Sequence, residues 1–305
     1  MIPITVVMRS YNDAGLLPRT LAGLAAQQGV AWTLSVFESA STDDSPALLQ
    51  RFIADHGGEA AGHRFTALAA GSYRSSRVLN AGVRAATTEL VVFLNSDAVL
   101  MGSAALLKLV EPFAADARLA GTFATQVERA GAAAVTRLDH EVAFRQRHRL
   151  GAAATWVSLV CSAIRRSAWD AVPFDERLTY AEDAVWSVHV ARHGWRTRYV
   201  PEAVVEHSHD YTPAQRRRRA YGDAAALAVI AKVAPPPDRL RGVVLPLLRR
   251  IASDLRLALG CGRPWWALTV IPQRWAQVDG AWAGSRAGWQ QVHAPGSATH
   301  ELPRP

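Results

Sequence analysis

Cysteine is scarce in this sequence: Cys161 and Cys261 are the only two among 305 residues. They lie far apart and form no CxxC pair, so a zinc knuckle has no support. At this length, with 50% hydrophobic residues, the chain can build a packed core without a disulfide. A disulfide between the two remains open, but we expect reduced thiols and a cytoplasmic protein.

Long apolar runs are also lacking. The longest, residues 242–248 and 264–272, fall short of the ~18–20 residues that a membrane-spanning helix needs. The chain opens on a strand-like run, residues 2–8, without the basic stretch of a signal peptide. The sequence therefore predicts neither a membrane span nor a secretion signal.

Strand and helix patterns alternate over the first hundred residues. We predict strands at residues 4–8, 32–37, 64–68 and 90–94, and a helix at 75–86. This alternation is typical of a sheet with helices on both faces, in which ligands bind beyond the carboxyl ends of the strands. Further along, we predict a helix at 184–193 and a short strand at 197–200 that ends in a turn at Pro201. We interpret residues 126–154 as a loop or excursion over the site.

Polar residues cluster after three of the predicted strands. The clusters are Arg9 to Asp13, Glu38 to Asp44, and Asn95 to Asp97. Each cluster alone is equally consistent with helix caps and turns, which favour Ser, Thr, Asn and Asp. Three clusters at successive strand ends favour one shared site instead.

Oxygen-bearing side chains close the apolar strand at residues 90–94, where Asn95 and Asp97 are separated by Ser96. Oxygen ligands of this kind suit Mg²⁺ or Mn²⁺, which also bridge to diphosphate oxygens. His207 and His209 follow a later strand and offer a metal ligand together with a supporting residue.

Two adjacent carboxylates, Glu182 and Asp183, open the predicted helix at 184–193. One interpretation is electrostatic, because acidic residues stabilise the N-terminus of a helix. The other is a general base that accepts a proton from an acceptor hydroxyl. Four arginines at 216–219 are either a solvated helix face or a source of positive charge for a leaving phosphate.

Three prolines at 235–237 mark a change in composition, and we place a domain boundary between residues 1–234 and 235–305. The net charge of the chain is +8, and the second segment holds nine arginines against four acidic residues. It is also rich in tryptophan, and its leucines and valines fall at helical spacing. This amphipathic helical tail either packs on the main domain or contacts a membrane or a partner.

Four stretches together resemble the family-two glycosyltransferases with the GT-A fold. They are residues 3–27, 36–49, 75–98 and 174–211, with the sequences PITVVMRSYNDAGLLPRTLAGLAAQ, VFESASTDDSPALL, SSRVLNAGVRAATTELVVFLNSDA and FDERLTYAEDAVWSVHVARHGWRTRYVPEAVVEHSHDY. They appear in the family's order and span roughly residues 3–222. The resemblance is closest to bacterial rhamnosyltransferase-like members, which share the R-x-x-N pattern of Arg77 and Asn80 and the HSH ending.

The resemblance implies a GT-A fold (a Rossmann-like mixed α/β sheet) with a C-terminal helical extension, and it implies roles for individual residues. Asp97 and His207 would bind a divalent metal, Mg²⁺ or Mn²⁺. Asp183 would be the catalytic base, and Glu182 beside it would be a second catalytic residue. The residues implied to bind the nucleotide sugar are Ser10, Tyr11, Asn12, Glu38, Ser41, Arg77, Asn80, Asn95 and Ser96.

Two positions depart from the family pattern. Asn95 stands where the first Asp of the DxD motif is usual, which predicts weaker metal binding. Glu38 stands where Asp is usual, which leaves the choice between uracil and thymine open.

The function implied is inverting transfer of a sugar from a UDP- or dTDP-sugar to an acceptor hydroxyl. The expected acceptor is a glycan or a lipid-linked glycan of cell-surface polysaccharide or glycolipid synthesis, at the inner face of the plasma membrane. Two alternatives belong to other classes: a nucleotide-sugar-binding module with weak catalysis, favoured by the altered DxD, and a nucleic-acid-binding protein, favoured by the charge. No nucleic-acid motif supports the second, and we expect no nucleic-acid partner.

Overall fold

The structure is a computed structural model that describes residues 1–145, 153–154, 156–178, 180–231 and 235–293. Its described strands form one sheet with the order β3-β2-β1-β4-β8-β6-β9-β5, and β7 pairs with β9 off this path. The strands are β1 (Ile2–Ser10), β2 (Val30–Glu38), β3 (Arg64–Ala67), β4 (Leu90–Asn95), β5 (Val99–Leu100), β6 (Leu119–Val127), β7 (Ala153–Ala154), β8 (Cys161–Arg165) and β9 (Arg196–Glu206).

The sheet is mixed, as the resemblance implied. Strands β3, β2, β1 and β4 run parallel, whereas β8 runs antiparallel to both β4 and β6. Because β1, β2 and β4 run parallel, their carboxyl ends form one edge of the sheet. Further along the sheet, β9 pairs parallel with β6.

Helices lie between the strands and after them in the chain. The α-helices are α1 (Leu17–Ala25), α2 (Ser45–Asp55), α3 (Ser75–Ala85), α4 (Ala105–Val110), α5 (Pro112–Ala115), α6 (Ala134–His140), α7 (Arg166–Ala171), α8 (Glu182–Arg192), α9 (Pro213–Ala231), α10 (Leu245–Gly260), α11 (Trp266–Thr269) and α12 (Ile271–His293). A 3₁₀ turn covers Gly58–Ala61, and π-helical turns cover Glu141–Arg145 and Leu240–Val244.

The predicted strands and helices of the first hundred residues are confirmed to within two residues at each end. Two later predictions are corrected. The loop or excursion predicted at residues 126–154 begins with the end of β6 and contains helix α6, and its residues 146–152 lie outside the described part of the chain. β9 does not end at Pro201 but continues to Glu206, with the register against β6 shifting between Ala124 and Thr125. Proline lacks an N–H for the ladder, so the strand passes Pro201 through an irregularity instead of regular pairing.

The described chain forms two compact units. The first comprises Met1–Val127, Arg147–Glu176 and Trp186–His207, and the second comprises Glu128–Gln146, Arg177–Val185 and Ser208–Pro305. The units therefore do not divide at residue 234.

The core of the first unit lies on the two faces of the sheet. Strand β4 is buried along its length, which matches its uninterrupted apolar sequence. Leucines of α1, α2 and α4 cover the face of the sheet that carries Ile4 and Val6. This packing fixes the strand ends from which the polar clusters project.

In the second unit, α9 and α12 pack with their backbones unusually close together. A Cβ added at Gly280, Gly284 or Gly288 of α12 would lie 2.1–2.5 Å from a carbonyl oxygen of α9. These glycines recur every four residues, so they form one face of α12. Helix α9 therefore belongs with the tail, although the prolines that suggested the boundary follow it.

Helix α10 buries the side that carries Asp254 and Ala258. Leu248 and Leu255, which share the predicted helical spacing, are 56% and 41% exposed. Among the residues that the structure describes, no helix combines the length and apolar character that crossing a membrane requires.

Candidate active site

The end of β4 carries the three residues that were predicted to hold metal and nucleotide. Asn95 is the last residue of the strand, and Ser96 and Asp97 form a turn in which the Ala98 N–H donates to the Asn95 carbonyl at 3.0 Å. Ser96 and Asp97 are 2% and 6% exposed. A carboxylate this buried requires a positive or hydrogen-bonding partner.

His207 lies beside Asp97, at the end of β9. Its Nε2 is 3.5 Å from Oδ2 of Asp97, and its backbone N–H donates to the Val127 carbonyl at 2.9 Å. The two residues predicted as metal ligands are thus brought together by the pairing of β9 with β6.

The ring of His207 is oriented by a buried amide. Its Nδ1 donates to Oε1 of Gln126 at 3.0 Å, and Nε2 of Gln126 in turn donates to Ser158 Oγ at 2.8 Å. With the proton on Nδ1, the lone pair of Nε2 faces the Asp97 carboxylate. An imidazole nitrogen and a carboxylate oxygen, with a hydrogen bond behind the imidazole, fit a divalent cation.

The loops after β1 and β2 are tied to each other by side-chain hydrogen bonds. Ser41 Oγ accepts from the Asn12 N–H at 2.9 Å, and Asn12 Oδ1 accepts from the Thr42 N–H at 2.8 Å. Asn12 adopts a left-handed backbone with φ 52°, which Asn tolerates better than most residues. Ser10 is buried and Tyr11 is 59% exposed at the same strand end.

Glu38 is buried at the end of β2 and shapes the loop that follows it. Its two carboxylate oxygens accept from the N–H groups of Ala40 and Ser41, at 3.1 and 2.8 Å. Ala40 has φ 57°, a conformation that costs a non-glycine residue about 1 kcal/mol. The hydrogen bonds to Glu38 stabilise this turn, and the proposed contact with the base remains a prediction.

Two charged residues of the β1 cluster reach β4, although they were given no role from the sequence. Arg9 donates from Nη2 to Oδ1 of Asn95 at 2.7 Å and from Nη1 to Ser75 Oγ at 2.9 Å. Ser96 Oγ donates to Oδ2 of Asp13 in a short hydrogen bond. Both residues were visible in the polar cluster after β1, but their partners on other elements were not.

Helix α3 carries Arg77 and Asn80, which the structure places around Glu176. Asn80 is buried, donates to Phe174 O and Glu176 Oε1, and accepts from Trp169 Nε1 and the Phe174 N–H. Its amide is therefore fully used within the protein, and its predicted role in donor binding is corrected to a structural one.

Arg77 is largely exposed, with its Nε 3.7 Å from Glu176. The hydrogen bond from Asn80 lowers the pKa of Glu176, and the charges of Arg84 and Arg77 add to this effect. The predicted contact of Arg77 with a diphosphate stays a prediction.

The acidic pair belongs to the second unit and occupies the first turn of α8. Glu182 and Asp183 are half-buried, and Oδ1 of Asp183 accepts from the Ala184 N–H at 2.8 Å. Ala181 before them has φ 55°. This left-handed residue sets the direction in which the chain enters the helix.

The four arginines at 216–219 are mostly engaged within the second unit. Arg216 is buried and pairs with Asp139 at 2.8 Å, and Arg217 pairs with Asp279 at 2.8 Å. The guanidinium of Arg219 lies 4.9 Å from the ring centroid of Tyr211. Arg217, Arg218 and Arg219 are exposed, as the solvated-face alternative expects, whereas the buried Arg216 holds helices together.

Solved structures share this fold. The mannosyltransferase PcManGT from Pyrobaculum calidifontis, in complex with GDP-Man and Mn²⁺, superposes with a TM-score of 0.61 at 20% identity, over 93% of this chain and 85% of that chain. S. aureus TarS 1-349 in complex with UDP gives a TM-score of 0.51 at 14% identity, over 91% of this chain and 90% of that chain. The mixed sheet and the acidic turn after β4 define a GT-A fold.

The family follows from the sequence match. The model of the glycosyltransferase like family 2 matches residues 3–222, and the chain belongs to this family. The O-antigen chain rhamnosyltransferase RfbN of Salmonella typhimurium is 27% identical over 237 residues, 71% of this chain and 69% of that protein. The protein is a glycosyltransferase.

Proposed function

We propose that the protein transfers a sugar from a UDP- or dTDP-sugar to an acceptor hydroxyl with inversion at the anomeric carbon. The acceptor would be a glycan or lipid-linked glycan of cell-surface polysaccharide or glycolipid synthesis, on the cytoplasmic side of the plasma membrane. The similarity to an O-antigen chain rhamnosyltransferase supports this class of acceptor.

The observation that carries the proposal is the pairing of Asp97 with His207, oriented by Gln126. These residues would hold Mg²⁺ or Mn²⁺, and the similar mannosyltransferase was solved with Mn²⁺. A bound divalent cation supplies charge neutralisation to a leaving nucleoside diphosphate. The neutral Asn95 would contribute less to such binding than a carboxylate.

The linked loops after β1 and β2 support donor binding in the first unit. Ser10, Tyr11, Asn12, Glu38 and Ser41 offer hydroxyl, amide and carboxylate groups suited to a base and a ribose. Arg9 adds positive charge next to Asn95 and Ser96, where a diphosphate would need it.

Asp183 is the proposed catalytic base. As the acceptor oxygen attacks the anomeric carbon, the bond to the diphosphate breaks and the acceptor proton moves to the Asp183 carboxylate. Asp183→Asn cannot accept this proton, so we expect transfer to fall about 10²–10⁴-fold with donor affinity unchanged. Steady-state transfer assays and calorimetric titration with the donor nucleotide measure the two quantities separately.

Glu182→Gln is the matched control for Asp183→Asn, because it removes the neighbouring charge in the same helical turn. We expect this variant to lose much less activity than Asp183→Asn, because the proton acceptor is still present. Undiminished turnover of Asp183→Asn would contradict the assignment of the base.

The donor is identified by thermal shift with UDP-, dTDP- and GDP-sugars, with and without Mn²⁺. The proposed site is supported if sugars of one nucleotide class raise the unfolding temperature only when Mn²⁺ is present, and if Asp97→Asn abolishes this increase. Donor binding without transfer or hydrolysis would instead favour the non-catalytic binding module that the altered DxD also permits.

A further inference from the structure

Exposed apolar residues of the described chain concentrate in one stretch of the second unit. Of the fifteen large hydrophobic residues that are markedly exposed, ten lie between residues 240 and 275. Scattered exposed leucines are ordinary, but such a concentration is typical of an interaction surface.

The exposed residues of α10 lie on one side of the helix. Leu245, Leu248, Leu255 and Leu259 are separated by three, seven and four residues, which places them within one stripe at 100° per residue. The opposite side carries the buried Asp254 and the buried Ala258, so this stripe is not the one that packs on the unit.

The apolar character continues through the turn into α11. After a reversal in which the Arg263 N–H donates to the Ala258 carbonyl at 2.7 Å, Trp265 and Leu268 are 57% and 71% exposed. We call the following set the α10–α11 surface: Leu245, Leu248, Leu255, Leu259, Trp265 and Leu268.

The exposed charge of the segment that forms the α10–α11 surface has one sign. Arg249 and Arg256 are exposed beside the leucine stripe, whereas Arg263 lines a pocket together with Glu128 and Glu141. The one acidic residue between positions 239 and 275 is Asp254, which is 1% exposed and bound by Arg274 at 2.6 Å. A partner for this surface must therefore be apolar and negatively charged.

We infer that the α10–α11 surface binds an anionic lipid surface, with its leucines and Trp265 in the headgroup–acyl boundary and its arginines at the lipid phosphates. Leucine and tryptophan on one side of a basic helix suit this location, and each arginine near an anionic surface strengthens binding about fivefold. A second copy fits poorly, since a symmetric contact would bring Arg249 and Arg256 of the two copies together.

The test uses the full chain in co-sedimentation with phosphatidylcholine vesicles, with and without phosphatidylglycerol. We expect binding only to the anionic vesicles, weakened by salt. The double variant Leu248→Gln/Leu259→Gln should bind at least about tenfold more weakly, because each leucine would bury apolar area in the lipid. The double variant Arg249→Gln/Arg256→Gln should also bind at least about tenfold more weakly than the unaltered protein.

Met101→Gln is the matched control, because it replaces an exposed apolar residue of the first unit. We expect it to bind vesicles as the unaltered protein does. Thermal unfolding and donor-induced thermal shift show whether each variant is folded and able to bind nucleotide. Failure of vesicle binding is thus distinguishable from failure of the proposed transfer.

Three results would overturn the inference. They are equal binding to neutral and anionic vesicles, unchanged binding of the leucine variant, and a concentration-dependent dimer in sedimentation velocity that the leucine variant abolishes. The last result would assign the α10–α11 surface to a second copy of the chain.

Discussion

Asp97 and His207 are distant in the chain, and at the residue scale a third residue, Gln126, determines how they meet. Gln126 is 8% exposed and holds His207 Nδ1 at 3.0 Å, which directs Nε2 toward Asp97. Residues that orient a metal-binding histidine contribute to affinity without touching the metal.

We predict that Gln126→Leu, which keeps the volume but removes the acceptor, weakens Mn²⁺ binding about 10–100-fold. Titration calorimetry with Mn²⁺ in the presence of UDP measures this change directly. The conservative variant Gln126→Glu retains an acceptor for Nδ1 and should recover most of the affinity. If Gln126→Leu and the unaltered protein bound Mn²⁺ with the same affinity, the Gln126 amide would not orient His207 for metal binding.

Residues with a family pattern were predictable from the sequence, whereas their supporting residues were not. Asp97 was singled out by the end of an apolar strand and His207 by the HSH ending, and the structure places the two side by side. Gln126 and Arg9 act through partners far away in sequence, and no local spacing indicates such contacts. Asn80 shows the opposite error, because a shared motif position was interpreted as binding while its amide is used in packing.

At the scale of elements, the first hundred residues were predictable because each strand there is a short β-branched or apolar run bounded by polar turns. Strand β9 was predicted too short, since a proline normally ends a ladder and the irregularity that accommodates it depends on β6. Helix α10 has apolar residues around much of its circumference. Its pattern indicated a helix, but the pairing of Asp254 with Arg274 decides which side is buried.

The glycines of α12 allow its close approach to α9, and Gly284 is the tightest point. A Cβ there would lie 2.1 Å from the Tyr221 carbonyl oxygen, so one helix backbone must move. We predict that Gly284→Ala destabilises the protein by about 1–3 kcal/mol, the usual cost of overpacking. This range is the net effect: the clash must also cancel the ~1 kcal/mol by which alanine is favoured over glycine in a helix. Chemical denaturation followed by circular dichroism measures it.

Gly260→Ala is the control for this prediction. Gly260 ends α10, and an added Cβ there meets nothing within 4 Å. We expect neutral or slightly increased stability. If both alanine variants were as stable as the unaltered protein, the glycines of α12 would not be needed for its close packing on α9.

At the scale of the whole molecule, the change of composition after residue 234 does not coincide with the division of the structure into compact units. The second unit draws on three segments of the chain, including Glu128–Gln146 and Arg177–Val185, which precede the prolines. Composition shows where the content of proline, arginine and tryptophan changes, but it does not show which earlier helices pack with the tail. The family match ends at residue 222, within α9, and so it does not mark the boundary either.

The second unit is held by a charged centre to which four helices contribute. Asp139 of α6 accepts from Arg274 of α12 at 2.6 Å, Arg216 of α9 at 2.8 Å and Arg250 of α10 at 2.9 Å. Burial alone would raise the pKa of Asp139, but the three guanidinium groups outweigh it and hold the pKa below its ordinary value of 3.8. Cys161 shows the uncompensated case in the first unit, where burial raises the pKa of the thiol to about 12.

A carboxyl group whose pKa is lower in the folded than in the unfolded state stabilises the fold above the unfolded value. The contribution of Asp139 is therefore complete well above pH 3.8 and is lost as the pH falls through the lower, folded-state pKa. We predict that Asp139→Asn lowers the free energy of unfolding by up to ~3 kcal/mol at neutral pH, since it leaves buried arginines without their anion. The difference from the unaltered protein should shrink as the pH falls below 3.8. Urea denaturation across this pH range measures both effects.

Asp238→Asn serves as the control, because Asp238 is 61% exposed and its pair with Arg241 spans 4.0 Å, so its removal should cost little at any pH. A destabilisation by Asp139→Asn that persisted unchanged in acid would mean that the shape of this side chain, and not its charge, holds the four helices together.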